Sequence, residues 1–561
     1  MMKFLRWLFS GGCSVGSDVN EEKLRQAAEA AKRRGNDHFV LGEFDQAVEC
    51  YQEALKFFPA YAEAYVNLGC VCLEQKRYIE ARSFFGKAIE FDPKLWKAHF
   101  NLGKVAEKLD MPDQAIACYE RVLRMQPPYT ETHPWPEVHW CLMEVFDEEE
   151  RYEDALQVVD AILRVHSEWV EALCNKGVIL NKLGQNEEAI KQLEHVVAMK
   201  EHFLLLRFLG NFYQSAQDWK RAMQCYTRSY ELNPLDLEAL MNRALLLLLL
   251  GNYSEGWSLY EQALPGVHTK DVPVTDAHEF REKCKPEKYW DGDDLYGKTL
   301  LIWTEQGIGD SLMMFRYLPI LKERYRAEKI FVICERSLVR MIRGFTEVDE
   351  VMVKPGCDVH TLVFDYHCSM LSLPFLTKTQ IDTIPSSVPY IVVPKENQST
   401  WAERLAVLPG LKVGLAWGGN KKLLFDKQRS IPLKKFAPFL ELTGITWVSL
   451  QKGEPAFQLK ELAWPIIDWT EELQDMQDTA ALMEHLDLVI SVDTSIIHLA
   501  GALGRPTWLL NRYGSEWRWL LECEYSPWYP TVRIFRQTVP NDWDSVIARM
   551  VTELKGLTHR P

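Results

Sequence analysis

This 561-residue chain lacks the sequence features of disulfide-rich, membrane-spanning and nucleic-acid-binding proteins. Its 13 cysteines form no CxxC pair and have no regular spacing, which indicates buried thiols in a reducing compartment rather than a disulfide framework. Its longest leucine run, at 245–250, is far shorter than the roughly 20 apolar residues that span a membrane. The formal net charge of −15 argues against a nucleic-acid-binding protein. We therefore expect a cytoplasmic protein, and one too long for a single core.

The first residues, MMKFLRWLFSGGCSV, combine a basic residue, a short apolar stretch and small residues before Cys13, as a lipoprotein signal does. Arg6 interrupts the apolar stretch, which is also too short for the core of a signal peptide. We expect residues 1–27 to form a helical or flexible segment, with at most a weak association with a membrane or a partner.

The first half of the chain repeats with a period of about 34 residues, the tetratricopeptide period. A glycine, an alanine, an aromatic residue and a proline recur in register, at Gly35, Gly69 and Gly103; Ala47, Ala81 and Ala115; Tyr51, Phe85 and Tyr119; and Pro59, Pro93 and Pro127. Small residues let two helices approach, the aromatic ring fills the gap, and proline ends the second helix. Less regular units follow an insertion at 128–136. Seven units predict an α solenoid over 28–264, whose concave face is expected to bind a peptide or protein.

Beyond a polar, turn-rich connector at 265–298, short apolar runs alternate with helical patterns. These runs predict strands at TLLIWTE, KIFVICE, EVMVK, TLVFDY, KVGLAWGG, ITWVSLQ, WPIIDW, LDLVISVD, PTWLLN and TVRIFR. The alternation is typical of parallel strands with crossover helices. A break near 393–410 divides it into two Rossmann-like halves, 299–395 and 396–561, and we expect a cleft at the carboxyl ends of their strands.

Polar or glycine-rich loops follow several of the predicted strands. In the first half, Gln306, Gly307 and Gly309 form a glycine loop, and Asp310 opens a helix. The second half supplies the other candidate site residues: Trp417, Gly418, Asn420, Arg429, Ser430, Gln451, Lys452, Gly453, Asp493, Thr494, Ser495 and His498. A helix N-terminus with hydroxyl groups and basic side chains nearby suits a phosphate. The loops therefore predict a site for a phosphate-containing ligand, with basic groups for a diphosphate.

These residues also have purely structural interpretations. Asp493 or Thr494 would serve as an N-cap, and Asp310 would cap the helix that contains SLMMF. The polar loops at one sheet edge favour a site over capping alone. The histidines and cysteines of 357–368 match no usual zinc spacing, and DGDD at 291–294 lies in the connector, so no metal is expected. The tryptophans of SEWRWLLECEYSPWYP either stack on a base or sugar or close the C-terminal helix over the sheet.

The stretch ISVDTSIIHLAGALGRPTW resembles the donor-binding motif of ADP-heptose:lipopolysaccharide heptosyltransferases and of related tetratricopeptide-containing bacterial glycosyltransferases. The segments GIGDSLMMFRYLP, GLAWGGN, RSIPL, SLQKG and YWDGDDLYGK are also similar to those repeat-containing proteins. The likeness covers 289–535, and the overall plan is similar to that of eukaryotic O-linked N-acetylglucosamine transferase. It implies an α/β domain of two Rossmann-like halves, the GT-B type, that takes a nucleotide sugar.

The resemblance also implies roles for single residues. Asp493, Thr494 and His498 fall where heptosyltransferases hold the donor phosphates and sugar. Arg429 lies near the position at which those enzymes have a basic residue that helps to hold the phosphates. Ser495 stands where heptosyltransferases have a glycine. The resemblance therefore does not fix the local backbone conformation or the identity of the donor. Asp310 matches the acidic residue proposed as the base that takes the proton of the acceptor hydroxyl in a metal-independent, inverting transfer.

Together these features predict a glycosyltransferase of the hexosyl or heptosyl type that uses a nucleotide sugar. Its repeats are expected to select a protein or peptide acceptor, and no cofactor beyond the nucleotide sugar is expected. The main alternative is a binding protein, a tetratricopeptide scaffold with a degenerate transferase domain; a nucleotide-sugar epimerase on the same fold is a weaker one. The sequence leaves the sugar, the nucleotide, the acceptor and the oligomeric state open.

Overall fold

The computed structural model describes residues 15–125, 135–264, 286–354, 356–421 and 426–558. The chain forms two compact units, which divide between Phe212 and Tyr213. None of the described helices combines the length and the apolar character that crossing a bilayer requires.

The described part of the chain up to residue 264 consists of fourteen helices. They are α1 (Val15–Val40), α2 (Phe44–Phe57), α3 (Ala62–Glu74), α4 (Tyr78–Phe91), α5 (Trp96–Lys108), α6 (Pro112–Arg124), α7 (Trp135–Glu148), α8 (Tyr152–Val165), α9 (Val170–Lys182), α10 (Asn186–Met199), α11 (Phe203–Ser215), α12 (Trp219–Leu232), α13 (Leu237–Leu249) and α14 (Tyr253–Ala263). Fourteen helices make seven pairs, which confirms the predicted α solenoid of tetratricopeptide repeats.

Helix α1 begins at Val15, upstream of the expected start of the array at residue 28. Residues 21–27, EEKLRQA, are strong helix formers that lead directly into the first repeat. Residues 1–14, Pro127 and most of the insertion at 128–136 lie outside the described residues.

Glycine and aromatic residues pack the repeats as their spacing predicts. A Cβ atom added to Gly69 would lie 2.5 Å from the ring of Phe85, and one added to Gly103 would lie 2.5 Å from the ring of Tyr119. Phe85 and Tyr119 are fully buried. Only glycine allows this approach of the two helices of a repeat, which confirms the role proposed for the small residues.

The second unit contains two parallel sheets among its described residues. Its strands are β1 (Thr299–Trp303), β2 (Lys329–Glu335), β3 (Glu350–Lys354), β4 (Tyr366–Ser369), β5 (Leu411–Ala416), β6 (Ile445–Ser449), β7 (Ile466–Ile467), β8 (Leu488–Val492), β9 (Thr507–Asn511) and β10 (Val532–Arg536). The first sheet has the order β3-β2-β1-β4 and the second the order β10-β9-β8-β5-β6-β7. The prediction of parallel α/β structure in this half is confirmed.

Helices connect these strands. They are α15 (Ile308–Met314), α16 (Leu318–Glu323), α17 (Val339–Ile342), α18 (Leu373–Leu376), α19 (Lys395–Ala406), α20 (Asp426–Arg429), α21 (Ala437–Leu440), α22 (Phe457–Leu462), α23 (Met476–Met483), α24 (Ser495–Ala502) and α25 (Trp543–Thr558). Helix α19 occupies the predicted break between the two halves. The core of the second sheet includes Trp417, Trp447 and the buried face of α25.

One predicted strand is wrong. The segment TLVFDY was expected to form it, but Val359–Thr361 is a short 3-10 turn and β4 begins only at Tyr366. Val359 and Phe364 are buried against β1 without joining the sheet. The carboxylate of Asp365 accepts a hydrogen bond of 2.8 Å from the Thr299 N–H at the start of β1. Phe364 therefore covers the sheet, whereas Val363 is 87% exposed, and neither residue extends a strand.

The last repeat packs on the α/β part of the second unit. Tyr253 on α14 accepts a hydrogen bond of 3.1 Å from the indole of Trp528. The ring of Trp257 lies edge-on to Trp517 at 5.1 Å between centroids. Gln306 donates to the hydroxyl of Tyr260 at 3.1 Å. These contacts explain why the second unit begins within the repeat array and not at the connector.

Candidate functional site

The order of the strands predicts where a ligand would lie. Strand β5 is flanked by β6 on one side and β8 on the other, so the connections leave β5 and β8 in opposite directions along the sheet. In a parallel sheet, a crevice forms at such a point, outside the carboxyl ends of the two strands. The loop after β5 leads to Arg429, and the loop after β8 contains Asp493 and Thr494. Two of the predicted loops therefore flank the crevice of the second sheet.

The glycine loop after β1 reaches the same place. Helix α15, which follows this loop, packs against α24, which follows β8. A Cβ atom added to Gly309 would lie 2.7 Å from Cδ2 of His498 and 3.4 Å from Cα of Ser495. Glycine at 309 is what allows this approach. The structure thus brings candidate residues from both predicted halves together.

The start of α24 is not closed by a side chain of its own N-cap residue. Thr494 stands at the N-cap position with extended backbone angles, but its hydroxyl makes no capping hydrogen bond. The main-chain oxygen of Asp493 accepts a hydrogen bond of 2.9 Å from Arg429. Capping by Thr494, the structural alternative, does not account for this residue.

His498 is buried one turn along α24. Its Nδ1 lies 3.0 Å from the hydroxyl of Tyr529, and its ring stacks on Trp519 at 5.5 Å. Burial, and then the positive charge of Arg518, hold the pKa of His498 well below 6.5. The imidazole is therefore neutral at pH 7. Its Nε2 lies 4.0 Å from a carboxylate oxygen of Asp493.

Asp493 sits in the same enclosed environment. Burial raises the pKa of its carboxyl, and the negative charge of Glu516 adds to the effect. Arg518 and Arg429 act in the opposite direction without reversing it. A carboxyl held in this way favours its protonated form more than an exposed aspartate does.

Three arginines gather at this edge of the sheet, and we call Arg429, Arg512 and Arg518 the arginine cluster. Arg429 pairs with Asp426 at 3.0 Å, and Arg512 pairs with Glu516 at 2.9 Å. Burial alone would raise the pKa of Glu516, but Arg512 and Arg518 outweigh burial and lower it. The arginines therefore favour the carboxylate form of Glu516.

Arg518 connects the two halves. It forms an ion pair with Asp310 at the start of α15, and its other terminal nitrogen lies 3.4 Å from Glu516. Its guanidinium stands over the ring of Trp517, 4.4 Å from the centroid. Burial opposes the charged form of Arg518, yet Asp310 and Glu516 raise its pKa above the usual range.

The contacts of Asp310 fit both predicted roles, a helix cap and a site residue. One carboxylate oxygen accepts a hydrogen bond of 3.2 Å from the Gly307 N–H, which caps α15. The other accepts a hydrogen bond from Arg518. The capping role is real, but it does not explain the pairing with an arginine that lies 208 residues away in sequence.

Other predicted donor-binding residues form hydrogen bonds that stabilise the loop after β5. Gln451 accepts hydrogen bonds from the N–H groups of Trp417 and Gly418 at 2.9 and 2.8 Å, and its amide donates to the Gly418 oxygen. Trp417 is fully buried. Ser430 accepts from the Gly419 N–H and donates to Asp426. These side chains shape the loop after β5.

Three candidates lie at the surface of these loops. The ammonium of Lys452 donates to the carbonyl of Leu473, while Asn420 and Gly453 are exposed. Among the described residues, no group of three or more His, Cys, Asp or Glu side chains is arranged to hold a metal ion.

The sequence analysis missed Arg512, Glu516 and Arg518. They lie in NRYGSEWRW, at the end of β9 and in the loop that follows it. Only the tryptophans of this segment were predicted to have a role, in stacking or in packing. A signal was available, because this loop also follows a strand of the second sheet and carries three charges of mixed sign.

Comparison with known proteins adds independent evidence. Residues 474–545 match the family described as Glycosyltransferase family 9 (heptosyltransferase). Tetratricopeptide repeat families match residues 26–94, 96–129, 170–203 and 209–267. The family 9 match contains α24 and the arginine cluster except Arg429.

Individual proteins match different shares of the chain. Protein FlbA of Caulobacter vibrioides is 28% identical over 487 residues, which cover 81% of this chain and 78% of FlbA. The mitochondrial import receptor subunit TOM70 of Rattus norvegicus is 32% identical over 114 residues, only 19% of this chain and 18% of the receptor. The crystal structure of YrrB, a TPR protein with an unusual peptide-binding site, is 21% identical, has a TM-score of 0.29, and covers 34% of this chain and 97% of its own. The chain therefore carries tetratricopeptide repeats followed by a glycosyltransferase family 9 (heptosyltransferase) domain, and it is homologous to FlbA-like tetratricopeptide proteins.

Proposed function

We propose that this protein transfers a sugar from a nucleotide-sugar donor to a hydroxyl group of a protein that the repeats bind. The observation that carries the proposal is the meeting of the arginine cluster, the start of α24 and Asp310 at one point. The family 9 match to residues 474–545 supports a glycosyltransferase in its own right.

The donor diphosphate would bind at the start of α24. Backbone N–H groups and the positive end of the helix dipole favour an anion there. The guanidinium of Arg429 already lies at this point, where it donates a hydrogen bond to the main-chain oxygen of Asp493. Arginine offers planar, paired donors that match phosphate oxygens, and several of them supply the charge that a leaving diphosphate needs.

The proposed reaction is a single displacement. The acceptor oxygen attacks the anomeric carbon, the bond from that carbon to the phosphate oxygen breaks, and the nucleoside diphosphate leaves with the electron pair. Asp310 takes the proton of the attacking hydroxyl, and the configuration at the anomeric carbon inverts. The guanidinium groups and the helix end stabilise the leaving group, so the proposal needs no metal. The two sheets would act as the two halves of a GT-B-like enzyme.

A protein acceptor is proposed from the repeats. Their helix pairs are typical of peptide-binding arrays. The last repeat helix also contacts the glycine loop directly, since Gln306 donates to Tyr260. An acceptor segment held at the last repeat would thus lie near the glycine loop that precedes Asp310. Free cysteines such as Cys72, Cys118 and Cys334 support a cytoplasmic setting for this reaction.

The competing function is a scaffold with an inactive transferase domain. The observation in its favour is that both carboxylate oxygens of Asp310 are engaged, by Gly307 and by Arg518. An Asp310 that stays paired with Arg518 in every state would serve as a structural link between the two loops rather than as a base.

A ligand screen tests the proposal. We expect one of the ADP-, GDP-, UDP-, CDP- and dTDP-sugars to raise the melting temperature, by a stabilisation of about 2.7 kcal/mol at a hundredfold excess over its dissociation constant. The double variant Asp493→Ala with Thr494→Ala should lose this shift. Thr552→Ala on the exposed face of α25 is the matched control and should keep it. If none of these sugars shifts the wild-type protein, the scaffold function replaces the proposed one.

A further inference from the structure

The ion pair of Asp310 and Arg518 is largely, but not fully, shielded from solvent. The exposed fraction of the two side chains is 15% for Asp310 and 14% for Arg518. Gly307 and Arg518 each donate to one carboxylate oxygen, so both oxygens of Asp310 already have a partner. A proton transferred to Asp310 in this arrangement would leave the guanidinium of Arg518 without its anionic partner.

Arg518 is also the least satisfied member of the arginine cluster. Its Nε is buried and has no hydrogen-bond partner. Arg512, by contrast, donates to both Gln428 and Glu516, and Arg429 donates to Asp426 and to the Asp493 oxygen. A buried N–H without a partner is costly, so Arg518 has the most to gain from a new anionic ligand.

We propose that Asp310 and the donor diphosphate compete for Arg518. When the donor binds, its phosphates draw the Arg518 guanidinium away from Asp310, and the released carboxylate becomes available to the acceptor hydroxyl. A diphosphate offers more negative charge and more acceptor oxygens than a carboxylate that already serves a backbone N–H. This inference rests on the proposed function. Arg518 is then a donor-binding residue that also gates the base, so the donor binds first and the acceptor second.

The competition has an unusual consequence for binding. Removing the base should strengthen binding of the leaving group, because Arg518 then has no competing carboxylate. In Asp310→Asn we expect the affinity for the bound nucleoside diphosphate to rise by about tenfold, the order of one charge-assisted hydrogen bond. In Arg518→Gln the affinity should fall by at least about tenfold. Adding Asp310→Asn to Arg518→Gln should change nothing further, because the two effects act through one pair.

Isothermal titration calorimetry with ADP, GDP, UDP, CDP and dTDP measures these affinities. Asp382→Asn is the matched control, since it removes one negative charge from an exposed site in the same half. Asp310→Ser provides a second neutral variant that keeps an oxygen acceptor for the Gly307 N–H, should the asparagine variant fail to fold. Circular dichroism establishes the fold of each variant.

The outcomes separate the inference from the function on which it rests. Tighter binding in Asp310→Asn, absent in Asp382→Asn, supports the competition. Equal or weaker binding in folded Asp310 variants overturns the inference and leaves the transferase function in place. Failure of all five nucleoside diphosphates to bind the wild-type protein overturns both.

Discussion

Replacing Gly309 by alanine tests the contact that joins the two halves at the site. The added methyl carbon would lie 2.7 Å from Cδ2 of His498, a distance that real Cβ contacts do not reach. The imidazole is not a mobile chain end, because it is buried, stacked on Trp519 and bonded to Tyr529 at 3.0 Å. Either α15 moves away from α24, or His498 leaves its position.

The cost follows from these contacts. Overpacking a closed interface destabilises a protein by about 1–3 kcal/mol, and loss of the hydrogen bond to Tyr529 adds about 1 kcal/mol. We therefore expect Gly309→Ala to lower the free energy of unfolding of the second unit by roughly 2–4 kcal/mol. The backbone at Gly309 has no positive φ, so the effect comes from the clash and not from backbone strain.

Urea unfolding followed by tryptophan fluorescence measures the change. Gly556→Ala on α25 is the matched control, because no heavy atom lies within 4 Å of its added Cβ. Within a helix this substitution should stabilise by about 0.5–1 kcal/mol. If Gly309→Ala shifts the unfolding midpoint no more than Gly556→Ala does, α15 and α24 are not packed as described.

Other expectations concern pH and buried polar groups. Because burial and Arg518 hold the pKa of His498 well below 6.5, the unfolded chain takes up a proton below that pH that the native protein does not. The contribution of His498 to stability is complete above pH 6.5 and falls by up to about 1.4 kcal/mol per pH unit on acidification; His498→Gln should reduce that slope in urea titrations. Arg316 is 3% exposed and donates to three carbonyl groups, so Arg316→Met should cost roughly 3–5 kcal/mol, whereas exposed Arg324→Met should cost almost nothing. Tyr253→Phe removes the acceptor of the Trp528 indole and should lower the unfolding free energy by about 1 kcal/mol in thermal or urea unfolding.

The repeats and most of the strands could be predicted because their signals are local. The glycine and the aromatic ring that meet in a repeat, such as Gly69 and Phe85, lie within one period of the sequence. The failure at TLVFDY has a tertiary cause. Phe364 is buried against the sheet while Val363 is exposed, and a hydrophobic run looks the same in sequence whether it enters a sheet or lies against one.

The site was predictable only in part. Position after a strand identified the loops that contain Asp310 and Asp493, since parallel strands present such loops at one edge. Position alone could not separate ligand-binding groups from structural ones. Gln451 resembles a binding residue in sequence, but it holds the Trp417 turn in place. The pairing of Asp310 with Arg518 depends on how two distant loops meet, and no local pattern encodes it.

Release of nucleoside diphosphate from the nucleotide sugar that binds tests the central claim most directly. We predict release by the wild-type protein, and at least about a hundredfold slower release by the Asp493→Ala, Thr494→Ala double variant, because that variant alters the start of α24, the proposed binding site of the leaving group. Release that continues at the wild-type rate in the double variant would contradict the account, since the reaction would then take place elsewhere.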